Sequence, residues 1–113
     1  MPEEHPRGTL HGVIFAPFVR KVRAVLSAKG IAYQQVSVMP GAMDAAFLSK
    51  SPLRKVPVWE EADFVLPDSS AICAYLADAF PDKNLAPPPG HRQRGPYYRW
   101  LFFAAGPVEA AVT

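Results

Sequence analysis

A chain of 113 residues, half of them hydrophobic, has room for one domain with a modest core plus a short extension, and that hydrophobic content excludes wholesale disorder. A net charge of +2 is too small to indicate nucleic acid or a membrane surface as partner, and a single cysteine excludes an intramolecular disulfide and a cysteine-based metal site. No apolar run approaches the roughly 20 residues that span a bilayer, and the polar, acidic start lacks the basic flank and apolar stretch of a signal peptide. The expectation is a soluble, cytoplasmic protein.

Residues 1–8 read as a flexible N-terminal tail. From Thr9 to Phe15 the chain is rich in strand formers, with Gly12 where another backbone can approach closely. Pro17 suits the first turn of a helix, and Phe18, Val22, Val25 and Leu26 then fall on one face as far as Lys29. Gly30 stops that helix in the usual C-terminal way. Ala32 to Val38 forms a second strand, so residues 9–38 make a strand–helix–strand unit with parallel strands. Pro40-Gly41 breaks the chain before a short helix from Ala42 to Lys50, which ends ahead of Pro52 because the residue before proline avoids helical backbone. Val56 to Glu60 and Phe64 to Leu66 read as an antiparallel hairpin, and Ser70 to Phe80 as a third helix with Ile72, Leu76 and Ala79 or Phe80 facing the sheet. Residues 82–91, containing Pro87-Pro88-Pro89-Gly90, form a proline-stiffened linker. Arg92 to Ala105 begins another helix with Tyr98, Leu101, Phe102 and Ala105 on one side, and Gly106-Pro107 is expected to interrupt it.

Two features coincide between Ser51 and Leu76. Val56-Pro57-Val58 sets a proline, which cannot donate to a sheet ladder, inside a strand-like run. If its peptide bond is cis, the bend leaves the Val56 N–H and C=O free for a ligand backbone. About ten residues on, Asp68-Ser69-Ser70 opens an apolar-periodic segment as a helix N-terminus does, offering unpaired N–H groups and partial positive charge to a carboxylate. Together they describe a slot for an extended peptide with an anionic end.

The Val-Pro bend and the Asp-Ser helix start, at this spacing, resemble the N-terminal thioredoxin-like domain of glutathione S-transferases. The likeness spans roughly Thr9 to Pro87. It implies an α/β fold: a thioredoxin-like four-stranded mixed sheet with flanking helices over residues 9–81. Residues 92–113 then resemble the first helix of an incomplete, truncated all-helical second domain. It implies glutathione as co-substrate, with no metal. Its thiolate would attack a small electrophile, bound in the family between the two domains, and the protein would form a homodimer or otherwise self-associate. By the same resemblance, Val56 next to Pro57 pairs its main chain with the cysteinyl part of glutathione. Ser69 holds the γ-glutamyl carboxylate and Asp68 its ammonium, although the family usually carries Glu there. Arg54 and Lys55 lie where the glycine carboxylate is met, but many members have Gly or His where Arg54 stands.

One position departs from the pattern. Phe15-Ala16-Pro17-Phe18-Val19-Arg20-Lys21-Val22 resembles the family's Ser-Pro-Phe-Val-Arg-Lys-Val run with Ala16 in the serine's place. A hydroxyl there donates to the glutathione sulfur and favours thiolate over thiol; alanine has no donor. No residue is therefore assigned as catalytic. The Ala16 N–H, or Thr9 or His11, could substitute for it. Otherwise the chain is a non-catalytic interaction or regulatory module of the same fold.

Each residue also has a structural reading. Asp68 and Ser69 are preferred helix caps, Pro57 suits an edge strand, and Arg54 and Lys55 suit solvated surface. Cys73 reads as a small core residue, the scattered His5, His11 and His91 lack metal-ligand spacing, and the basic runs 20–23 and 91–94 read as solvated faces. Tyr97, Tyr98, Trp100, Phe102 and Phe103 read as a core stripe in need of a partner surface.

Overall fold

A computed structural model of the protein describes residues 5–80 and 85–112; the first half of the expected tail (1–4), position 81 with the start of the linker (82–84), and position 113 lie outside the described residues. The elements run β1 (Thr9–His11), α1 (Pro17–Lys29), β2 (Gln34–Val36), a 3₁₀ turn (Pro40–Ala42), α2 (Ala45–Lys50), β3 (Val58–Glu61), β4 (Phe64–Pro67), α3 (Ser69–Ala79), α4 (Arg94–Phe103), a π-helical turn (Ala104–Val108) and α5 (Glu109–Val112). The sheet order is β2-β1-β3-β4, with β1 parallel to β2 and β3 antiparallel to both β1 and β4. This is the expected thioredoxin-like mixed sheet, followed by helix.

Strands alternate their side chains between faces. Leu10 and its register partner Trp59 point to the face covered by α1 and α3, where they join Val19, Val22, Leu26, Ile31, Ile72 and Leu76 in one buried cluster. His11 points the other way, towards α2, with its ring 6.2 Å from that of Phe47. Glu61 accepts from the Trp59 indole N–H and the Tyr75 hydroxyl, both at 2.8 Å, which ties β3 to α3. Burial and that carboxylate push the Tyr75 hydroxyl up to about 12, so it stays a donor.

Several boundaries differ from the sequence expectation, each for a local reason. The first strand ends at His11, because Gly12 takes φ +144° and turns the chain towards α1; beyond it Ile14 and Phe15 are exposed. A Cβ on Gly12 would lie 2.5 Å from Val19 Cγ2 and 3.2 Å from Val56 Cβ, so this glycine is demanded twice over. The second strand is only Gln34–Val36. The short helix begins at Ala45 because Asp44 Oδ1 accepts from the Phe47 N–H at 2.8 Å, an N-cap that ends the preceding irregular stretch. The hairpin's first strand starts at Val58 rather than Val56, since the Val56–Pro57 peptide is cis and precedes the ladder. The third helix starts at Ser69 under its Asp68 cap; of the expected pair Phe80 packs against the core, while Ala79 is exposed and Ala77 is buried instead. On α1, Val19 joins the buried face, while Phe18 is only half-buried.

Two buried cations hold helix ends together. Lys29 donates from Nζ to the Ala77 carbonyl at 3.0 Å and to the Phe80 carbonyl, satisfying C-terminal acceptors of α3 from the end of α1. Arg94, expected in a solvated basic patch, is instead buried. Its guanidinium meets both carboxylate oxygens of Asp78, donates to the Pro87 carbonyl at 2.7 Å, and lies over the rings of Tyr97 and Tyr98. Asp78 thereby raises the Arg94 pKa still further, and α4 is docked on the sheet domain by charge. Its aromatic stripe stays open: Trp100 and Phe102 are 60% and 68% exposed. At Gly106-Pro107 the helix continues through the π turn where an interruption was expected.

Candidate functional site

A cleft of about 250 Å³ opens where the loop after α2, the cis bend, the end of β4 and the start of α3 meet. Ser51 builds one wall. It is buried, its hydroxyl donates to the Lys55 carbonyl at 2.7 Å, and the Lys55 N–H donates back to it at 3.1 Å. This clip fixes residues 51–55, and sequence reading missed it; the Ser-Pro pair offered the signal, since serine hydroxyls commonly close such local loops. The cis Val56–Pro57 bend follows at once. Among the described residues, the Val56 N–H and C=O take no partner.

The opposite wall is the start of α3. Asp68 sits at φ 86°, ψ 114°, outside the comfortable range of a non-glycine residue, while its Oδ2 accepts from the Ala71 N–H at 2.9 Å. That leaves the Ser69 and Ser70 N–H groups without acceptors among the described residues. Ser69 is buried with its hydroxyl likewise unpartnered, and the Ser70 hydroxyl accepts from Lys21 Nζ at 2.9 Å. The helix end thus presents the Ser69 N–H and hydroxyl to the cleft, donors that can receive a carboxylate.

Of the six candidate residues, Lys55, Val56, Pro57, Asp68 and Ser69 line this cleft together. Arg54 does not line it. Its side chain is exposed and its backbone holds φ 59°, the left-handed region that glycine enters freely. The resemblance ascribed glycine or histidine to many members at this place, and in this chain the backbone there is of the kind that suits glycine. Phe18, Leu53, Pro67 and, from α5, Glu109 also line the cleft.

Position 16 is the N-cap of α1, with φ −65°, ψ 136° and no side-chain cap. The three substitutes for a side-chain hydroxyl are all engaged elsewhere. The Ala16 N–H donates to the Val13 carbonyl at 3.1 Å. The Thr9 hydroxyl meets Gln34 Oε1, and His11 Nε2 meets Glu60 Oε1 at 2.8 Å in a separate cavity beside α2. Cys73 is no alternative, since burial pushes its thiol up and keeps it protonated.

Residues 10–87 match the family model described as glutathione S-transferase, N-terminal domain. The chain belongs to the glutathione S-transferase family. Among curated relatives, it is 35% identical to glutathione S-transferase omega-1 of Mus musculus over 89 residues, covering 76% of this chain and 37% of that protein. It is also 35% identical to a glutathione S-transferase of Triticum aestivum over 78 residues, 69% of this chain and 36% of that one. The chain therefore spans little more than a third of these relatives.

Solved structures agree on the glutathione S-transferase fold. A glutathione transferase homologue from Drosophila mojavensis with bound glutathione superposes with a TM-score of 0.80 at 27% identity, covering 90% of this chain and 48% of that one. Glutathione transferase E6 of Drosophila melanogaster gives 0.78 at 31% identity, covering 88% and 46%. No helix among the described residues is long and apolar enough to cross a membrane.

Proposed function

We propose that this chain is a glutathione transferase or transferase-like protein that binds glutathione, cytoplasmic and self-associating. The observation that supports the reading is the meeting, in one cleft, of the unpartnered Val56 backbone groups and the free Ser69 N–H at the start of α3. Glutathione fits this donor set: an extended tripeptide with a carboxylate at each end and one ammonium. Ser69 and the α3 N-terminus take the γ-glutamyl carboxylate, Asp68 the ammonium, the Val56 main chain the cysteinyl amide, and Lys55 the glycine carboxylate. Arg54, outside the cleft, contributes only long-range positive charge.

The reaction served is attack of the glutathione thiolate on a small electrophile. With no side-chain donor at position 16 and the Ala16 N–H committed to Val13, this chain binds glutathione without itself lowering the thiol pKa. That same observation favours a second reading, a module that keeps the ligand and the fold while its role lies in partner binding.

Calorimetric titration of glutathione tests the proposal, with Ser69→Ala as control. Binding that weakens severalfold in the variant is expected, because a carboxylate loses a hydroxyl donor while the helix dipole remains. No binding up to the millimolar range would overturn it.

A further inference from the structure

The wall of the cleft that carries Lys55 and Val56 belongs to a loop, residues 51–59, whose two ends are tied together behind it. Side chains alternate between the faces of a strand, so with Trp59 in the core, Glu60 turns to the α2 side of the sheet, as His11 does. There one carboxylate oxygen, Glu60 Oε1, meets His11 Nε2 at 2.8 Å and Lys50 Nζ at 3.1 Å. Lys50 is the last residue of α2, and Glu60 lies in β3. Their ion pair therefore closes the loop at its base. His11 is buried and steadies the carboxylate from β1, while its ring packs against Phe47 of α2. From Lys50 the fixed geometry passes straight into the Ser51 clip. The Ser51 N–H donates to the Phe47 carbonyl at 3.0 Å, the Arg54 N–H donates to the Ser51 carbonyl at 2.9 Å, and the Ser51 hydroxyl donates to the Lys55 carbonyl at 2.7 Å.

We infer that Lys50 and Glu60 are positioning residues for glutathione, whose ion pair holds Lys55 and Val56 in place opposite Ser69. The inference rests on the functional reading above. Neither residue lines the cleft, so neither acts by touching the ligand. A loop released at its base samples more conformations, and the ligand must then order it on binding, which lowers affinity without removing a contact. The Ser69 wall hangs on α3 and does not share this pin. Lys50 and Glu60 are 30% and 32% exposed at their side chains, so the pair is partly screened and its effect is modest. Lys50 is the cleaner of the two to change, because its removal leaves the bond between His11 and Glu60 in place.

Calorimetric titration of glutathione into Lys50→Met and Lys50→Arg tests this, beside amide hydrogen exchange without ligand. Methionine keeps the stem and the helix propensity of lysine and removes only the charge. Lys50→Met should weaken binding roughly two- to fivefold, and Lys50→Arg, which keeps the cation, should bind as the wild type does. Exchange of the Arg54 and Lys55 amides, both bonded to Ser51, should quicken in Lys50→Met, while the Ala71 amide at the Asp68 cap stays unchanged. A double-mutant cycle separates positioning from general loosening. Lys50→Met and Lys55→Ala act through one contact, so their losses should fall short of adding, whereas those of Lys50→Met and Ser69→Ala should add. Unchanged affinity in Lys50→Met, an equal loss in Lys50→Arg, or full additivity with Lys55→Ala would overturn the inference while leaving the glutathione site standing. Failure of glutathione itself to bind the wild-type chain would overturn both.

Discussion

Ala16→Ser separates two roles that one hydroxyl would take at the entrance of α1. The backbone at position 16 already has the extended conformation of an N-cap, and the side chain caps nothing. A serine oxygen there can accept from the N–H of Phe18 or Val19, the second and third residues of the helix. Such a cap contributes about 1 kcal/mol. For a chain of 113 residues, an unfolding entropy near 2.1 cal/mol/K per residue converts that into a rise in Tm of about 4 °C. A hydroxyl has one donor besides its acceptor sites, so capping leaves the O–H free for the glutathione sulfur. A hydrogen bond to a charged acceptor contributes about 1.5–3 kcal/mol, which lowers the bound thiol pKa by about 1–2 units. Ala16→Asp is the control, because a carboxylate caps but cannot donate. Thermal unfolding reads the first effect and ultraviolet thiolate absorbance of bound glutathione, followed against pH, reads the second. Serine should raise Tm and depress the thiol pKa, whereas aspartate should raise Tm alone. A serine variant that gains stability with an unmoved thiol pKa would refute the role given to position 16. A variant with no gain in Tm would refute the capping argument.

Gly12→Ala should cost about 2–5 kcal/mol, combining a strained φ with a methyl group driven into Val19 and Val56, and chemical denaturation would measure it. Because Val56 is one of the groups displaced, glutathione affinity should fall with it. Lys55→Ala should weaken glutathione binding several times more than Arg54→Gly does. Arg54→Gly should leave stability within about 1 kcal/mol, since release of the left-handed strain is offset by a looser unfolded chain; calorimetry and thermal unfolding read both. Hydrogen bonds from His11 and Lys50 hold the Glu60 carboxyl below the usual carboxylate range. A depressed folded-state pKa gives stability that is present above the unfolded value and lost as pH falls through the folded one. Urea midpoints should therefore drop in the acid range, and Glu60→Gln should flatten that part of the profile.

The elements were legible where local chemistry decides them. The 3.6-residue spacing of Val22, Val25 and Leu26, the Gly30 stop and the strand formers around Leu10 and Val58 brought out every strand and the main helices. The Val-Pro and Asp-Ser pairs pointed to four residues that the cleft brings together, Val56, Pro57, Asp68 and Ser69. What escaped depends on neighbours distant in sequence. Arg94 reads as one more basic residue in a run, and only the approach of Asp78 and the Pro87 carbonyl makes it a buried anchor.

The outcome at position 16 divides in the same way. That alanine has no donor follows from the residue itself. That its N–H is also spent, on Val13, depended on how the chain turns after Gly12. Glu109 marks the limit of sequence reading: Gly106-Pro107 announces a disturbed helix, but periodicity cannot say whether such a helix stops or continues with its register rotated. Local preference sets which residues can form a strand, a cap or a bend, because those energies act within a few positions along the chain. Which side chains share one cleft, and which donors remain free to meet a ligand, is decided when the sheet and helices pack and each polar group finds or fails to find a partner.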